Sequence, residues 1–526
     1  MNSSPIDAAQ GKRARSVAAV VVFAAALRCI DASAAVVHPR VTETAALEGS
    51  VDALLVFADQ SQPLLAPLKP DGDYRVHRRA LIDALKTRAD STQRATREWL
   101  DAQGITHRDF WIANLIQARV PRAALVALAA RNDVARVDPN PQIAMRLPPS
   151  ETLLSAPAIA AAGAQGIAWG VAKIEAPLVW AGGVTGQGVV IGGEDTGYQW
   201  DHPVLKPQYR GWNGTAANHN YNWHDAVHDA PPDAICGNDS PFPCDPDNHG
   251  THTAGTFAGD DGPTASPRHQ TGVAPGARWI GCRNMDKTGT GTPTRYIECM
   301  QWMLEPTNLR DRKPIPDLAP DVVSNSWYCA VTEGCTTGLE LQGAVDNLVA
   351  AGIFYAAAAG NFGTLPGSDG TGCETIAGPP ATYDSSFVVG ATDAIDALAS
   401  FSSRGPVAGS SLVRPDVSAP GVNVCSSIPT NSYSCTFSGT SMATPHVAGA
   451  AALLMSVFPA LKGHPSKVAE ILRATATTQG VTNTAGVTQS CGGTPITQWP
   501  NYMVGYGRVD AWNAVREPVF IDDFDN

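Results

Sequence analysis

Charge is scarce in this 526-residue chain: Asp, Glu, Lys and Arg together make up 16% of it, with a formal balance of -12. The balance is also uneven. Residues 1–34 carry four basic and two acidic side chains and residues 35–146 fifteen and thirteen, which leaves 18 basic against 34 acidic for residues 147–526, a net -16. A region that acidic has no electrostatic reason to bind nucleic acid or an anionic membrane. Long apolar runs are lacking as well. One stretch, Val17 to Leu27, follows Lys12, Arg13 and Arg15 and precedes Ala32-Ser33-Ala34. It is too short to span a bilayer permanently and has the layout of a secretory signal peptide. Residues 1–34 are therefore expected to leave, and the product to be soluble, secreted and extracellular. Neither a C-x-x-C pair nor a paired Cys/His spacing occurs, which argues against a zinc site.

Eleven cysteines are present. Cys29 departs with the signal, and the remaining even number in an exported chain reads as disulfides. Close spacing suggests Cys236–Cys244, Cys329–Cys335 and Cys425–Cys435, with Cys282, Cys299, Cys373 and Cys491 pairing among themselves.

The length calls for two or three domains. Within residues 35–146, Ala53 to Phe57 reads as a strand and a long charged helix carries Leu81, Leu85, Trp99 and Leu100. Phe110 to Val120 alternates like one strand, Pro121 opens a second helix with Leu125 and Leu128, and Val134 to Val137 closes the unit. With one β pairing left open, that order is β-α-β-β-α-β, the ferredoxin-like arrangement of a small α+β domain. Residues 147–166 read as a linker and 516–526 as an acidic tail. Between them, residues 167–515 alternate continuous apolar strands (Gly188–Gly192, Arg278–Cys282, Asp321–Ser326, Ile353–Ala358, Phe387–Val389) with helices. This is the signature of an α/β fold in three layers around a mostly parallel sheet, with functional residues beyond the carboxyl ends of the strands.

Three segments carry chemistry at such ends. Asp195 follows the first strand within Asp-Thr-Gly, and His249 opens a run of small residues that leads into a helix. Ser441 stands between a glycine-containing turn and the apolar run Val447–Leu454, which must form a buried helix. Singly, each has an ordinary explanation: turn former, satisfied loop histidine, helix cap. Together they supply what acyl transfer needs, a hydroxyl to attack, an imidazole to take its proton and a carboxylate to hold the imidazole.

Val190-Ile-Gly-Gly-Glu-Asp-Thr-Gly197, His249-Gly-Thr-His-Thr-Ala-Gly255 and Gly439-Thr-Ser-Met-Ala-Thr-Pro-His446 closely resemble the three signatures of subtilisin-like serine proteases. Gly272–Pro275, Phe401–Pro406, Arg414–Gly421 and Gly505–Ala511 match as well. The resemblance implies that Ser441 is the nucleophile, His249 the general base and Asp195 its orienting partner, with structural roles for His252 and His446. It implies an oxyanion hole at Asn361, within Ala356-Ala-Ala-Ala-Gly-Asn361, and a substrate-binding rim of Ser326, Trp327, Ala358, Ala359 and Gly360. For residues 35–146 it implies an inhibitory propeptide that assists folding. The expected product is thus an autoprocessed endopeptidase, monomeric, acting on protein or peptide substrates and needing no cofactor.

One departure stands out: Ser326 is followed by the bulky Trp327-Tyr328-Cys329, where the family usually has a glycine soon after. The loop from Tyr209 to Asp245, rich in Asn, Asp and Trp, suits either structural calcium or a solvated, disulfide-closed loop. Two rivals to the main reading are a non-catalytic peptide-binding protein on the same fold and an acid peptidase using Glu194.

Overall fold

The computed structural model describes residues 35–58, 69, 72–145, 147–148, 166–231, 233–330, 335, 338–363, 372–482 and 489–516. The expected signal segment, nearly all of the linker and all but the first residue of the acidic tail lie outside the described residues.

The N-terminal unit runs β1 (Val36–Val37), α1 (Pro39–Glu48), β2 (Ser50–Phe57), α2 (Tyr74–Ala102), β3 (His107–Phe110), β4 (Leu115–Pro121), α3 (Leu125–Ala129) and β5 (Val134–Pro139). Its sheet has the order β1-β5-β2-β4-β3, antiparallel except for the short β1 beside β5. From β2 to β5 this is the β-α-β-β-α-β order read from the sequence. β2 is apolar without alternation because both of its faces are covered. Ala53, Leu55 and Phe57 join Leu100 and Leu128 in the unit's own core, whereas Leu54 and Val56 join Leu81 and Leu85 against Tyr296 and Met300 of the larger unit. Asp73 starts α2 by accepting the Arg75 and Val76 N–H groups.

Phe110 to Val120 is not one strand. Trp111 to Asn114 reverse the chain between β3 and β4, with Asn114 at φ +42°. The turn is apolar, and so looks like strand in sequence, because it is buried against the larger unit. The Trp111 and Ile112 N–H groups donate to Gln301 Oε1, and Ile112 O accepts from Asn347 Nδ2.

After β6 (Ile143–Ala144), α4 (Trp169–Lys173) and α5 (Ala176–Ala181), the larger unit is built on seven parallel strands. These include β7 (Val190–Asp195), β8 (Trp223–Asp225) and β9 (Arg278–Arg283), with the two-residue β10 (Thr290–Gly291) lying outside the sheet. β11 (Val322–Asn325), β12 (Phe354–Ala358), β13 (Phe387–Thr392) and β14 (Val417–Pro420) complete it in the order β14-β13-β12-β11-β7-β9-β8. β7 extends past the expected Gly192, because Glu194 and Asp195 still pair with Cys282 and Arg283. α6 (His249–Ala258) and α9 (Thr440–Val457) contribute to the core on one face, and α7 (Pro293–Leu304) and α8 (Gln342–Ala350) to the core on the other. α9 is buried from Thr440 to Met455, as the apolar run Val447–Leu454 requires of its second half. The Cys pairs expected from close spacing are joined, and the other four resolve as Cys282–Cys299 and Cys373–Cys491. Among the described residues no helix is long and apolar enough to cross a membrane.

Candidate active site

Asp195 ends β7 and His249 begins α6, and both are buried. They meet because α6 approaches the end of β7 at a glycine: a β-carbon on Gly250 would fall 2.0 Å from Gly197 O. His249 Nδ1–H donates to Asp195 Oδ1 at 2.6 Å, and Asp195 also accepts the Thr196 N–H and the Thr253 hydroxyl. Burial opposes a charged ring at His249. The contact with Asp195 outweighs it, helped by Asp247 and Asp245, and holds the imidazole above its ordinary value. His252 and His446 lack such carboxylates, so burial pushes them down to about 3 and about 4, and they stay neutral. Each uses one ring nitrogen on a backbone carbonyl, that of Val424 or Met442.

Ser441 is the second residue of α9, behind Gly439 at φ +152°. Four residues on, Pro445 lies inside the helix and has no N–H to give the Ser441 carbonyl. The Ser326 hydroxyl takes that place, donating to Ser441 O at 2.9 Å. In return the Ser441 hydroxyl donates to Ser326 O at 2.7 Å. His249 Nε2 is buried with no hydrogen-bond partner among the described residues. The reciprocal Ser326–Ser441 pair thus fixes the backbone of Ser441 and turns its hydroxyl to the rim.

Asn361 follows β12 after Ala359 and Gly360, the latter at φ +104°. Its Oδ1 accepts from Thr440 N and Thr440 Oγ1, and the same hydroxyl accepts the Gly360 N–H. This orients the amide: Nδ2 comes within 3.5 Å of where a β-carbon on Gly439 would stand. Leu147 Cδ2 lies 3.7 Å from the same point. Ahead of it, β6 pairs antiparallel with β10, and Met145 N–H donates to Gly289 O. The edge that gains a strand is therefore 289–291, which sequence reasoning had not singled out.

Of the expected rim residues, Ser326 reaches Ser441, while Ala358, Ala359 and Gly360 form the buried approach to Asn361. The Trp327 indole is fully buried, stacked on Tyr296 at 3.7 Å, and donates to Glu194 O. It shares an apolar cluster with Ile143. Strand alternation puts the Glu194 side chain on the face of Gly192, whose β-carbon would meet Met303, and away from Asp195. Burial raises its carboxyl well above the ordinary range, so it is a neutral acid in the core rather than a base at the site. Two carboxylates of the Tyr209–Asp245 loop are engaged within the protein. Asp225 is bound to Arg283, and Asp245 accepts only internal donors. Among the described residues no three His, Cys, Asp or Glu side chains gather as a metal site.

Comparison with known proteins gives the family. Residues 186–493 match the model of the peptidase S8, subtilase family. Bacillopeptidase F of Bacillus subtilis is 34% identical over 83% of this chain, which spans only 28% of that protein's length. Subtilisin DY of Bacillus licheniformis is 34% identical over 60% of this chain and 94% of its own length, and subtilisin E of Bacillus subtilis 34% over 60% and 68%. The matched region contains the Asp195–His249 pair, Asn361 and the helix that presents Ser441, and the chain belongs to the subtilase family of serine peptidases.

Proposed function

We propose that the chain is a secreted serine endopeptidase made as a precursor, with Ser441 as nucleophile, His249 as general base and then acid, and Asp195 holding the imidazole. The carrying observation is the buried 2.6 Å contact between His249 Nδ1 and Asp195 Oδ1. It fixes the tautomer whose free Nε2 accepts a proton. α6 and α9, which begin at or beside His249 and Ser441, pack on each other. Rotation of the Ser441 side chain away from Ser326 O brings its hydroxyl toward His249. Oγ then attacks the substrate carbonyl while His249 takes its proton, and the oxyanion meets Asn361 Nδ2 and the Ser441 N–H. His249 protonates the departing amine, and water returns the enzyme by the same path. Every group in these steps is a side chain or backbone atom, so the chemistry itself calls for no cofactor.

Residues 35–146 serve as an inhibitory propeptide. In support, β6 and Met145 lie along the β10 edge and Leu147 reaches the turn ahead of Ser441, which is where a substrate would sit. Protein or peptide substrates would add to this same edge as a strand. The test is Ser441→Ala: hydrolysis and self-processing are abolished with the circular-dichroism spectrum unchanged, and undiminished turnover would sink the assignment. N-terminal sequencing of the secreted wild-type product reads the processing directly. The hydroxyl resting on Ser326 O favours one other reading, a peptide-binding protein that kept the fold. Stoichiometric phosphonylation of Ser441 excludes it.

A further inference from the structure

Asp245 closes the loop stapled by Cys236–Cys244 and is 3% exposed. Its carboxylate collects five donors. Oδ1 accepts the Thr196 hydroxyl at 2.9 Å and the Asp247 and Asn248 N–H groups at 3.1 Å each. Oδ2 accepts the Thr251 N–H at 2.9 Å and the Thr251 hydroxyl at 2.6 Å. The two threonines cross. Thr196, next to Asp195, accepts the N–H of Gly250, next to His249, at 2.9 Å. Thr251, in the first turn of α6, accepts the N–H of Gln199, in the chain leaving β7, at 3.0 Å. Each hydroxyl therefore accepts from a backbone N–H of the opposite element and donates its own hydrogen bond to the same carboxylate. With Gly250 seated on Gly197 O, little freedom remains between the end of β7 and the start of α6.

We propose that Asp245 is a positioning residue for the reaction, which sets the distance and angle between His249 and Asp195 through Thr196 and Thr251 and adds a fixed negative charge behind the imidazolium. The proposal rests on the reading of His249 as the base. The charges acting on His249 come from Asp195 on β7 and from Asp247 and Asp245 in the loop ahead of α6. His252 on α6 and His446 on α9 are neutral. Burial raises the Asp245 carboxyl, against the pull of its donors. Asp247, pushed up to about 6 by burial, titrates beside His249, so profiles are compared between variants rather than read alone.

The experiment takes the full-length chain, matured where it matures. In Asp245→Asn, kcat falls roughly ten- to a hundredfold with KM within about twofold, the scale of a misplaced catalytic group. The acid limb of the rate profile moves to lower pH, because the imidazolium has lost a neighbouring anion. Thr251→Val lowers kcat with the limb in place, and Thr251→Ser restores it. A wild-type kcat and acid limb in Asp245→Asn would overturn the proposal, as would equal losses in Thr251→Ser and Thr251→Val. If Asp245→Asn fails to fold, the threonine pair decides. An NMR measurement separates this outcome from a failure of the functional reading. In the inactive Ser441→Ala background the far-downfield Nδ1 proton of His249 broadens or shifts on Thr251→Val and not on Thr251→Ser. An unmoved proton overturns the positioning role whether or not the wild type hydrolyses peptides.

Discussion

The two halves of the site are held by different forces. Around Asp195 and His249 the restraints are polar: a short buried contact, two threonines, and a glycine that lets α6 touch the end of β7. Around Ser441 they are mostly apolar, since α9 is buried along nearly its whole length and its polar side chains are confined to its N-terminal half up to His446, apart from Ser456 near its end. The difference follows from what each half must do. An imidazole needs its orientation fixed, which takes directional bonds. A serine needs its backbone fixed but its hydroxyl able to turn, and packing supplies the first without preventing the second. Stillness on one side and a single rotation on the other are the contrast that the proposed mechanism requires.

Breaking the polar first turn of α9 should have the largest effect. Asn361→Leu removes the amide proposed to meet the oxyanion and leaves Thr440 without its acceptor; kcat should drop by about 10²–10³, an order taken from subtilisins, with KM little changed in steady-state assays. Ser326→Ala tests the anchor of Ser441. Because Pro445 cannot serve the Ser441 carbonyl, that group becomes an orphan in the core. The cost should be about 1–3 kcal/mol by denaturant midpoint, with a smaller loss in turnover.

The smallest effect has the opposite sign and sharpens the contrast, because Glu194 is polar where the packing is apolar. Its carboxyl is raised in the fold, so its contribution is fully present below the unfolded value near 4.5 and is lost as pH rises through the folded one. Glu194→Leu should therefore stabilise by about 1 kcal/mol at pH 8 and flatten the alkaline decline of the melting midpoint. A steeper decline in the variant would refute this.

Most of the architecture was legible in the sequence because parallel strands buried on both faces are written as continuous apolar runs. The order of the N-terminal unit was legible for a similar reason, except where its two middle strands read as one. The 111–114 turn was not, since its polar backbone is satisfied by Gln301 and Asn347, far away in sequence. Ser441, His249 and Asn361 stood out through motifs of small residues, which mark close backbone approach. Asp245 did not: one aspartate in an Asn- and Asp-rich loop carries no sign that its carboxylate will face two threonines. The Thr290–Gly291 edge was equally silent, because two residues make no pattern. Trp327 looked like a rim residue from its place after Ser326, yet its ring turns into the core.

The described cysteine pairs all lie in the larger unit, and they bear on survival among peptidases. Cys373–Cys491 closes 118 residues of chain, which in the chain-entropy model raises the free energy of the unfolded state by roughly 5 kcal/mol. Cys329–Cys335 closes a short loop just after Ser326–Tyr328, and Cys425–Cys435 ties the two strands of the β15 (Val424–Ile428)–β16 (Ser432–Phe437) hairpin. A peptidase at high concentration is its own most abundant substrate, and a loop must open locally before it can be cut. Covalent ties make those openings rarer and keep a nicked loop attached. The N-terminal unit, with no such pair among its described residues, is the part left open to digestion.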